Sequence, residues 1–363
     1  MKAETFEDFH RVHFVGIGGI GVSALARLMR SRGARVSGSD AADSELLAAL
    51  RREGITVTVG HIRENVPSET ELLVYSSAVP EDNPELVYAR ERDVRCMDRG
   101  AFLGLVSRDY FTIAVSGTHG KTTTTAMLGK VLADAGLKPT VLVGSLLAES
   151  GTNFLPGSDV ETPHGPRRYL VVEACEYRRA FLELAPSMIV ITNIEEDHLD
   201  YYKDLADIER AFLELTEKLR EGGTCVTTQD VRNRVFHPNL GTSDVPRFGW
   251  VDYGEISDDG LRLRIPGRHN VENAKAVLAA AGALGVSRES ALAALNDFHG
   301  TWRRFEYQGR IGGSGASVYD DYAHHPSEIR ATLQGAREAR DKKYTIYRIN
   351  GHGKLWAVFQ PHL

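Results

Sequence analysis

Cysteine is scarce in this chain: Cys96, Cys175 and Cys225 stand far apart and odd in number among 363 residues. That excludes a disulfide framework and the paired spacing of a zinc or redox motif, and predicts free thiols in a reducing cytoplasm. Long apolar runs are also missing, since no stretch approaches the ~20 residues that cross a bilayer. Residues 1–10 are polar and acidic, which predicts no secretory signal and a cytoplasmic location. Excess positive charge is absent too. Forty-three Lys and Arg face 49 Asp and Glu, a net charge of −6, so no broad basic surface is expected for a nucleic acid. What remains is an ordinary globular composition, 42% hydrophobic and 25% charged, on a chain too long for one compact core.

Two or three units are therefore expected, and the hydrophobic pattern divides the chain into three. Short β-branched runs at 12–17, 34–39, 55–59 and 72–78 read as strands, with helical periodicity at 22–32 and 44–53 between them. Alternation of strand and helix predicts a parallel sheet with right-handed crossovers. A second series has strands at 111–117, 140–144, 169–174 and 188–194, and helices at 122–135, 205–219, 270–285 and 287–298. Residues 151–166, rich in Gly and Pro, read as a surface loop. A Gly/Ser hinge at 312–315 leads to a strand at 317–322, a helix at 326–340 and a strand-like run at 355–360. The expected class is α/β: a Rossmann-like unit over 1–109, a central P-loop ATPase-like unit with a mostly parallel sheet over 110–312, and a partial C-terminal α/β unit over 313–363.

Two glycine-rich turns carry the chemistry. Gly16-Ile-Gly18-Gly19-Ile-Gly21 follows a strand and opens a helix, where backbone N–H groups face an anion. Asp40 ends the next strand, 19 residues after Gly21, where a carboxylate can accept a ribose hydroxyl. The second turn, Gly117-Thr118-His119-Gly120-Lys121-Thr122-Thr123, resembles a Walker A loop shortened by Val115 in place of its first glycine. Its backbone would cradle phosphate, Lys121 would neutralise β/γ oxygens, and the Thr122 hydroxyl would help hold Mg2+. Two such loops in one chain point to a nucleotide-tagged substrate and a separate ATP.

The second loop is similar to the ATP loop of the Mur ligases, and further motifs follow in that family's order. These are Ser76-Ser77-Ala78-Val79, Glu173-Ala-Cys-Glu-Tyr-Arg-Arg179, Thr192-Asn-Ile-Glu-Glu-Asp-His198, Pro266-Gly-Arg-His-Asn270 with Asn273, Arg303-Arg304-Phe305, Asp320-Asp-Tyr-Ala-His-His-Pro326 and Phe359-Gln-Pro-His362. The resemblance spans nearly the whole chain, and its first loop resembles the branch that adds L-alanine to UDP-N-acetylmuramate. It implies a three-domain ligase of peptidoglycan synthesis that uses ATP and Mg2+ and acts through an acyl phosphate. Gly16, Gly18, Gly19 and Gly21 would hold the UDP diphosphate, with Asp40, His61, Ser76 and Ser77 nearby. Lys121 and Thr122 would serve ATP, and Thr122, Glu173 and His198 the metal. Asn270 and Asn273 would lie on the adenine side, and Arg304 and Asp321 would reach the nucleotide from the domain junction. His325 and His362 would lie close to the amino acid. The third unit is expected to be incomplete, because the family continues with an arginine-containing segment.

Each assignment has an alternative in ordinary structure. Glu173 could cap a loop, His198 could bond backbone, Asn270 and Asn273 could cap a helix, and Arg304 could pair on a solvated face. Three other functions stand beside the leading one: a peptide-recycling ligase of the same fold, nucleotide binding without turnover, and a nicotinamide-dependent oxidoreductase that leaves Lys121 unused. Oligomeric state is not legible.

Overall fold

The computed structural model describes residues 4–162, 165–236, 248–310, 317–323, 325–338, 345–351 and 353–359. Three larger sheets follow one another along the chain, besides a two-stranded ribbon. The first has five parallel strands, β1 (Arg11–Val15), β2 (Arg35–Asp40), β3 (Thr56–Val59), β4 (Leu72–Tyr75) and β5 (Arg95–Asp98), in the order β3-β2-β1-β4-β5. Period-two alternation sends Val12, Phe14, Leu72 and Val74 to one face, where they join α1 (Ile20–Ser31) and α4 (Arg99–Arg108) in a single apolar cluster. Val15 and Leu73 point the other way and pack on α3 (Pro84–Glu91). The remaining helix, α2 (Glu45–Arg52), starts at Ser44, whose side chain accepts from Leu47 N.

The second sheet has seven strands: β6 (Phe111–Ser116), β7 (Thr140–Leu142), β8 (Phe154–Leu155), β11 (Tyr169–Glu173), β12 (Met188–Ile191), β13 (Thr224–Thr227) and β14 (Gly249–Asp252). Their order is β14-β13-β12-β6-β11-β7-β8, parallel throughout except where β8 joins β7. Ile113, Val115, Val171 and Val190 pack on one face against α5 (Lys121–Asp134), α8 (Arg268–Ala283) and α9 (Arg288–Asn296). Leu170, Val172, Ile189 and Ile191 pack on the other, beside α6 (Leu205–Glu217) and α7 (Gln229–Val235), in the cluster that also contains Phe14 and Phe102. The first two sheets therefore share one continuous core. Asn153, wholly buried, reinforces the join: its amide donates to Ser23 Oγ at 2.9 Å and to Ile20 O, and its oxygen accepts from Arg27.

A four-stranded sheet completes the chain, in the order β15 (Glu306–Arg310), β16 (Ser317–Asp321), β17 (Thr345–Gly351), β18 (Gly353–Phe359), with α10 (Pro326–Glu338) between β16 and β17. Only β16 and β17 run parallel.

The expected strands and helices recur here, and the structure adds elements that periodicity does not mark. Residues 151–166 are not simply loop: β8 lies inside them, and β9 (Val160–Thr162) pairs antiparallel with β10 (Gly165–Arg167). Pro166 sits in that isolated two-strand ribbon, where a missing ladder donor is tolerated. β5, β13, α3 and α4 are also additional; β5 is a half-buried edge strand, and α4 is apolar nearly all round because it lies between two sheets. The hinge expected at 312–315 lies outside the described residues.

Candidate functional site

β12, β6 and β11 are adjacent and parallel, so the segments that leave their carboxyl ends emerge side by side. From β6 comes the loop Gly117–Gly120, which opens α5. It bends through left-handed backbone: Gly117 has φ +126° and Gly120 has φ +82°. A Cβ would stand 2.1 Å from Thr192 Oγ1 at the first and 2.4 Å from Asn273 Oδ1 at the second, so neither position admits a side chain. The segment after β12 holds the loop in place. Asn193 Oδ1 accepts from His119 N at 2.9 Å, and Thr118 Oγ1 accepts from Glu195 N at 2.8 Å.

Lys121, the first residue of α5, folds back over this loop. Its Nζ donates to Gly117 O at 2.7 Å, Thr118 O at 3.0 Å and Glu176 Oε1 at 2.8 Å. Both members of the ion pair are buried, with side-chain exposures of 12% and 3%. Burial works against the ammonium charge, but Glu176, with Cys175 and Glu173 behind it, outweighs this and holds the lysine above its ordinary pKa. The same acid raises its neighbour: burial first, and then the Glu176 charge, pushes the Cys175 thiol up. Glu176 leaves its other oxygen, Oε2, buried without a hydrogen-bond partner among the described residues.

Glu173, at the end of β11, is not merely a loop cap. Its Oε2 accepts from Thr122 Oγ1 at 2.9 Å and from Gly144 N, beyond β7, at 3.0 Å. Lys121, Thr122, Glu173 and Glu176 thus form one connected cluster. His198 reaches it from the side, with Nε2 3.8 Å from Glu176 Oε1 and a left-handed backbone at φ +53°. Thr122 and Glu173 present hard oxygen atoms, the donors that Mg2+ prefers, so the residues fit that ion, with His198 at the margin.

Beside the cluster is a cavity of about 400 Å³, lined by His119, Gly120 and Thr123 from the phosphate loop and α5. Asn270 and Asn273 line it from α8, both buried; Asn270 donates to Pro266 O at 2.6 Å. Arg304, in the turn before β15, and Asp321, at the end of β16, close it. The Asp321 carboxylate accepts from Phe305 N at 2.9 Å and Ala323 N at 2.7 Å, and burial pushes its pKa up. Arg304 extends towards α10, 3.6 Å from Glu328. His325, at the start of α10, lies against His119, with ring centroids 4.6 Å apart.

The first glycine turn is elsewhere, at the carboxyl end of β1. Asp40 is turned onto that turn, its Oδ2 accepting from Gly18 N at 2.8 Å. Gly19 N-caps α1, Gly16 packs against Ser76, and Gly21 packs against Arg99. Ser76 Oγ accepts from Ala78 N at 3.3 Å, Ser77 follows it in the turn after β4, and His61 Nδ1 is 3.0 Å from Ser39 Oγ. Behind them Glu85, wholly buried, takes hydrogen bonds from His13, Ser39 and Asn65. Burial opposes its charge, but those bonds outweigh the penalty and hold the carboxyl below its ordinary range. His362 lies outside the described residues. Sequence reasoning assigned no role to Glu176, Glu195 or Arg99, although the first two stand inside motifs already singled out.

An open α/β sheet with a glycine loop at the start of a helix, a lysine paired with a buried acid and a cavity beside them defines an ATP-using class of enzyme. Comparison with known proteins names the family. Residues 11–111 match the Mur ligase family catalytic domain, 115–244 the Mur ligase middle domain, and 303–359 the Mur ligase glutamate ligase domain. The UDP-N-acetylmuramate–L-alanine ligase of Clostridium acetobutylicum is 38% identical over 97% of this chain and 77% of its own length. Among solved structures, UDP-N-acetylmuramate–alanine ligase from Thermotoga maritima superposes with a TM-score of 0.74 at 33% identity, covering 92% of this chain and 79% of that one. A murein peptide ligase from Psychrobacter arcticus gives 0.74 at 27% identity, covering 92% and 77%. The chain belongs to the Mur ligase family.

Proposed function

We propose that this protein joins L-alanine to the carboxylate of UDP-N-acetylmuramate at the expense of ATP, in peptidoglycan synthesis, and that it works in the cytoplasm. The observation that carries the reading is the single cluster of Lys121, Thr122, Glu173 and Glu176 beside a cavity that the third sheet closes. The relatives supply the substrates, since those that are 37% and 38% identical to it carry this activity in their names. Three free cysteines and the need for ATP favour the cytoplasm.

A carboxylate resists attack by an amine until its charge is removed. In the first step a carboxylate oxygen bonds the γ-phosphorus of ATP and the bridging P–O bond breaks, its electron pair leaving with ADP. In the second, the amine nitrogen attacks the carbonyl carbon, the C–O bond to phosphate breaks, and inorganic phosphate departs as the nitrogen sheds its proton. The first step requires two anions to meet. Lys121, charged throughout the neutral range, would leave Glu176 to take the phosphate oxygens, assisted by backbone N–H groups of the Gly117–Gly120 loop. Thr122 and Glu173, with His198 beside them, would hold Mg2+, which when bound draws charge from the phosphate and carboxylate oxygens.

The remaining roles follow from placement. The turn at Gly16–Gly21, with Asp40, His61, Ser76 and Ser77, would hold the UDP moiety. Asn270 and Asn273 would face adenine, and Arg304 and Asp321 would close on the nucleotide. His325, on the phosphate-loop side of the junction, would act where nucleotide and amino acid meet. Labour would divide accordingly among residues 1–109, 110–312 and 313–363. The test is phosphate release from ATP that requires both UDP-N-acetylmuramate and L-alanine, with the product identified by mass. Release without alanine dependence, or only with L-alanyl-γ-D-glutamyl-meso-diaminopimelate, refutes it.

A further inference from the structure

One group of side chains at the junction offers more than the chemistry above asks of it. His119, Glu195 and His325 bring one ligand atom each within 4.8 Å of one another, from the phosphate loop, the segment after β12 and the start of α10. We propose that these three residues bind a divalent transition-metal ion of the zinc class, which ties α10 to the phosphate loop.

The surroundings of each ligand support it. His119 Nδ1 lies 3.3 Å from Glu328 Oε1, the carboxylate–imidazole arrangement that orients a metal-binding histidine and raises its basicity. Its other nitrogen, Nε2, is buried, lacks a hydrogen-bond partner among the described residues, and points at Glu195 Oε2, 3.6 Å away. That carboxylate is itself held, since Ser327 Oγ donates to Oε2 at 2.7 Å. The His325 ring lies against the His119 ring, tilted by 37°. Its Nδ1 accepts a long bond of 3.3 Å from Ser327 N, a weak cap that coordination would replace.

Two imidazoles and one carboxylate form a set for zinc, cobalt or nickel rather than for Mg2+, which takes oxygen. Bonds of ~2.0–2.1 Å put tetrahedral ligands roughly 3.3 Å apart, so modest side-chain rotation closes the present separation. Water would fill the remaining coordination position. This pocket is separate from the Thr122–Glu173 oxygen pair, so an ion here acts as a staple and not as the reaction's own metal.

Cobalt(II) titrated into the full chain tests the site directly, because four-coordinate cobalt absorbs strongly in the visible whereas the six-coordinate ion is pale. One equivalent should develop the four-coordinate bands, and one equivalent of Zn2+ should bleach them. Glu195→Gln and His325→Ala should each abolish the bands, and Glu328→Gln should weaken binding about 10–100-fold. His325→Ala also removes the weak cap of α10, so Glu195→Gln, which can still accept from Ser327, serves as the variant free of that effect; far-ultraviolet circular dichroism establishes that each is folded. Absent bands, a pale six-coordinate spectrum, or bands unchanged in both Glu195→Gln and His325→Ala overturn the proposal. The readout needs no turnover, so its failure is distinct from failure of the ligase reading.

Discussion

Replacing Glu176 with glutamine separates two effects that the Lys121–Glu176 pair combines. In the wild type, Lys121 is held by Glu176 and by two loop carbonyls, all away from bulk water. Removing one charge from a buried pair costs about 3–5 kcal/mol, because the other charge remains desolvated. A glutamine oxygen still accepts, and both carbonyls remain, so the lower end, about 3 kcal/mol, is expected. An unfolding entropy of about 2.1 cal/mol/K per residue gives roughly 1–2 °C per kcal/mol for a chain this long, so the melting temperature should fall by about 3–6 °C. Nucleotide binding should move the other way. If phosphate takes Lys121 from Glu176, the wild type loses the pair on binding and the variant has none to lose. Recovering about half of the 3 kcal/mol tightens ADP on the order of tenfold. The pH window follows from the sign of the shift. The lysine's pKa is raised in the fold, so the stabilisation is fully present below its ordinary value of 10.5 and disappears as pH rises through the folded value. Scanning calorimetry at pH 7 and calorimetric ADP titration make the measurement. Unchanged melting refutes the buried-pair argument, and lower stability with unchanged or weaker ADP binding refutes the competition for Lys121.

Three further substitutions probe other links. Gly120→Ala should all but eliminate ADP binding, since its Cβ would stand 2.4 Å from Asn273 Oδ1 and a left-handed backbone adds about 1–2 kcal/mol; ADP titration with a parallel thermal melt checks it. Glu85→Gln should lower stability at pH 7, and the gap from wild type should close on acidification. Its folded pKa is depressed, so its contribution is present above the ordinary value of 4.5 and lost as pH falls through the folded value; urea unfolding at several pH values measures this. Asn153→Ala should cost about 1–3 kcal/mol, because Arg27 and Ser23 lose a buried partner where the first two sheets share their core; denaturant unfolding reads it.

Both glycine turns were legible because a strand, a turn chemistry and a helix coincide at each, and local rules suffice there. Residues 151–166 were less so: Gly and Pro mark a break in periodicity, but whether the backbone then pairs with itself, as β9 and β10 do, depends on neighbours outside the window. Asp40 shows another limit. Spacing put a carboxylate beside the first turn but did not give its direction, and Asp40 accepts from Gly18 N. Glu176 was the larger omission. Two acids stand three apart in Glu173-Ala-Cys-Glu176, and nothing local distinguishes the one that meets Thr122 from the one that meets Lys121.

That distinction comes from strand order. β6 lies between β11 and β12, so a lysine that begins the helix after β6 is confronted by whatever leaves the two flanking strands. β11 ends at Glu173, level with Val115 of β6, and the chain then turns over the top of the sheet through Cys175 and Glu176. Glu173 is consequently low enough to meet the Thr122 hydroxyl within the first turn of α5, while Glu176 is carried far enough to reach Lys121. A one-residue change in the length of that turn would exchange or remove these partners without altering any strand. The position of the two acids relative to the end of β11 therefore decides which one restrains the lysine and which one meets the Thr122 hydroxyl, and the arrangement depends on β11 being next to β6.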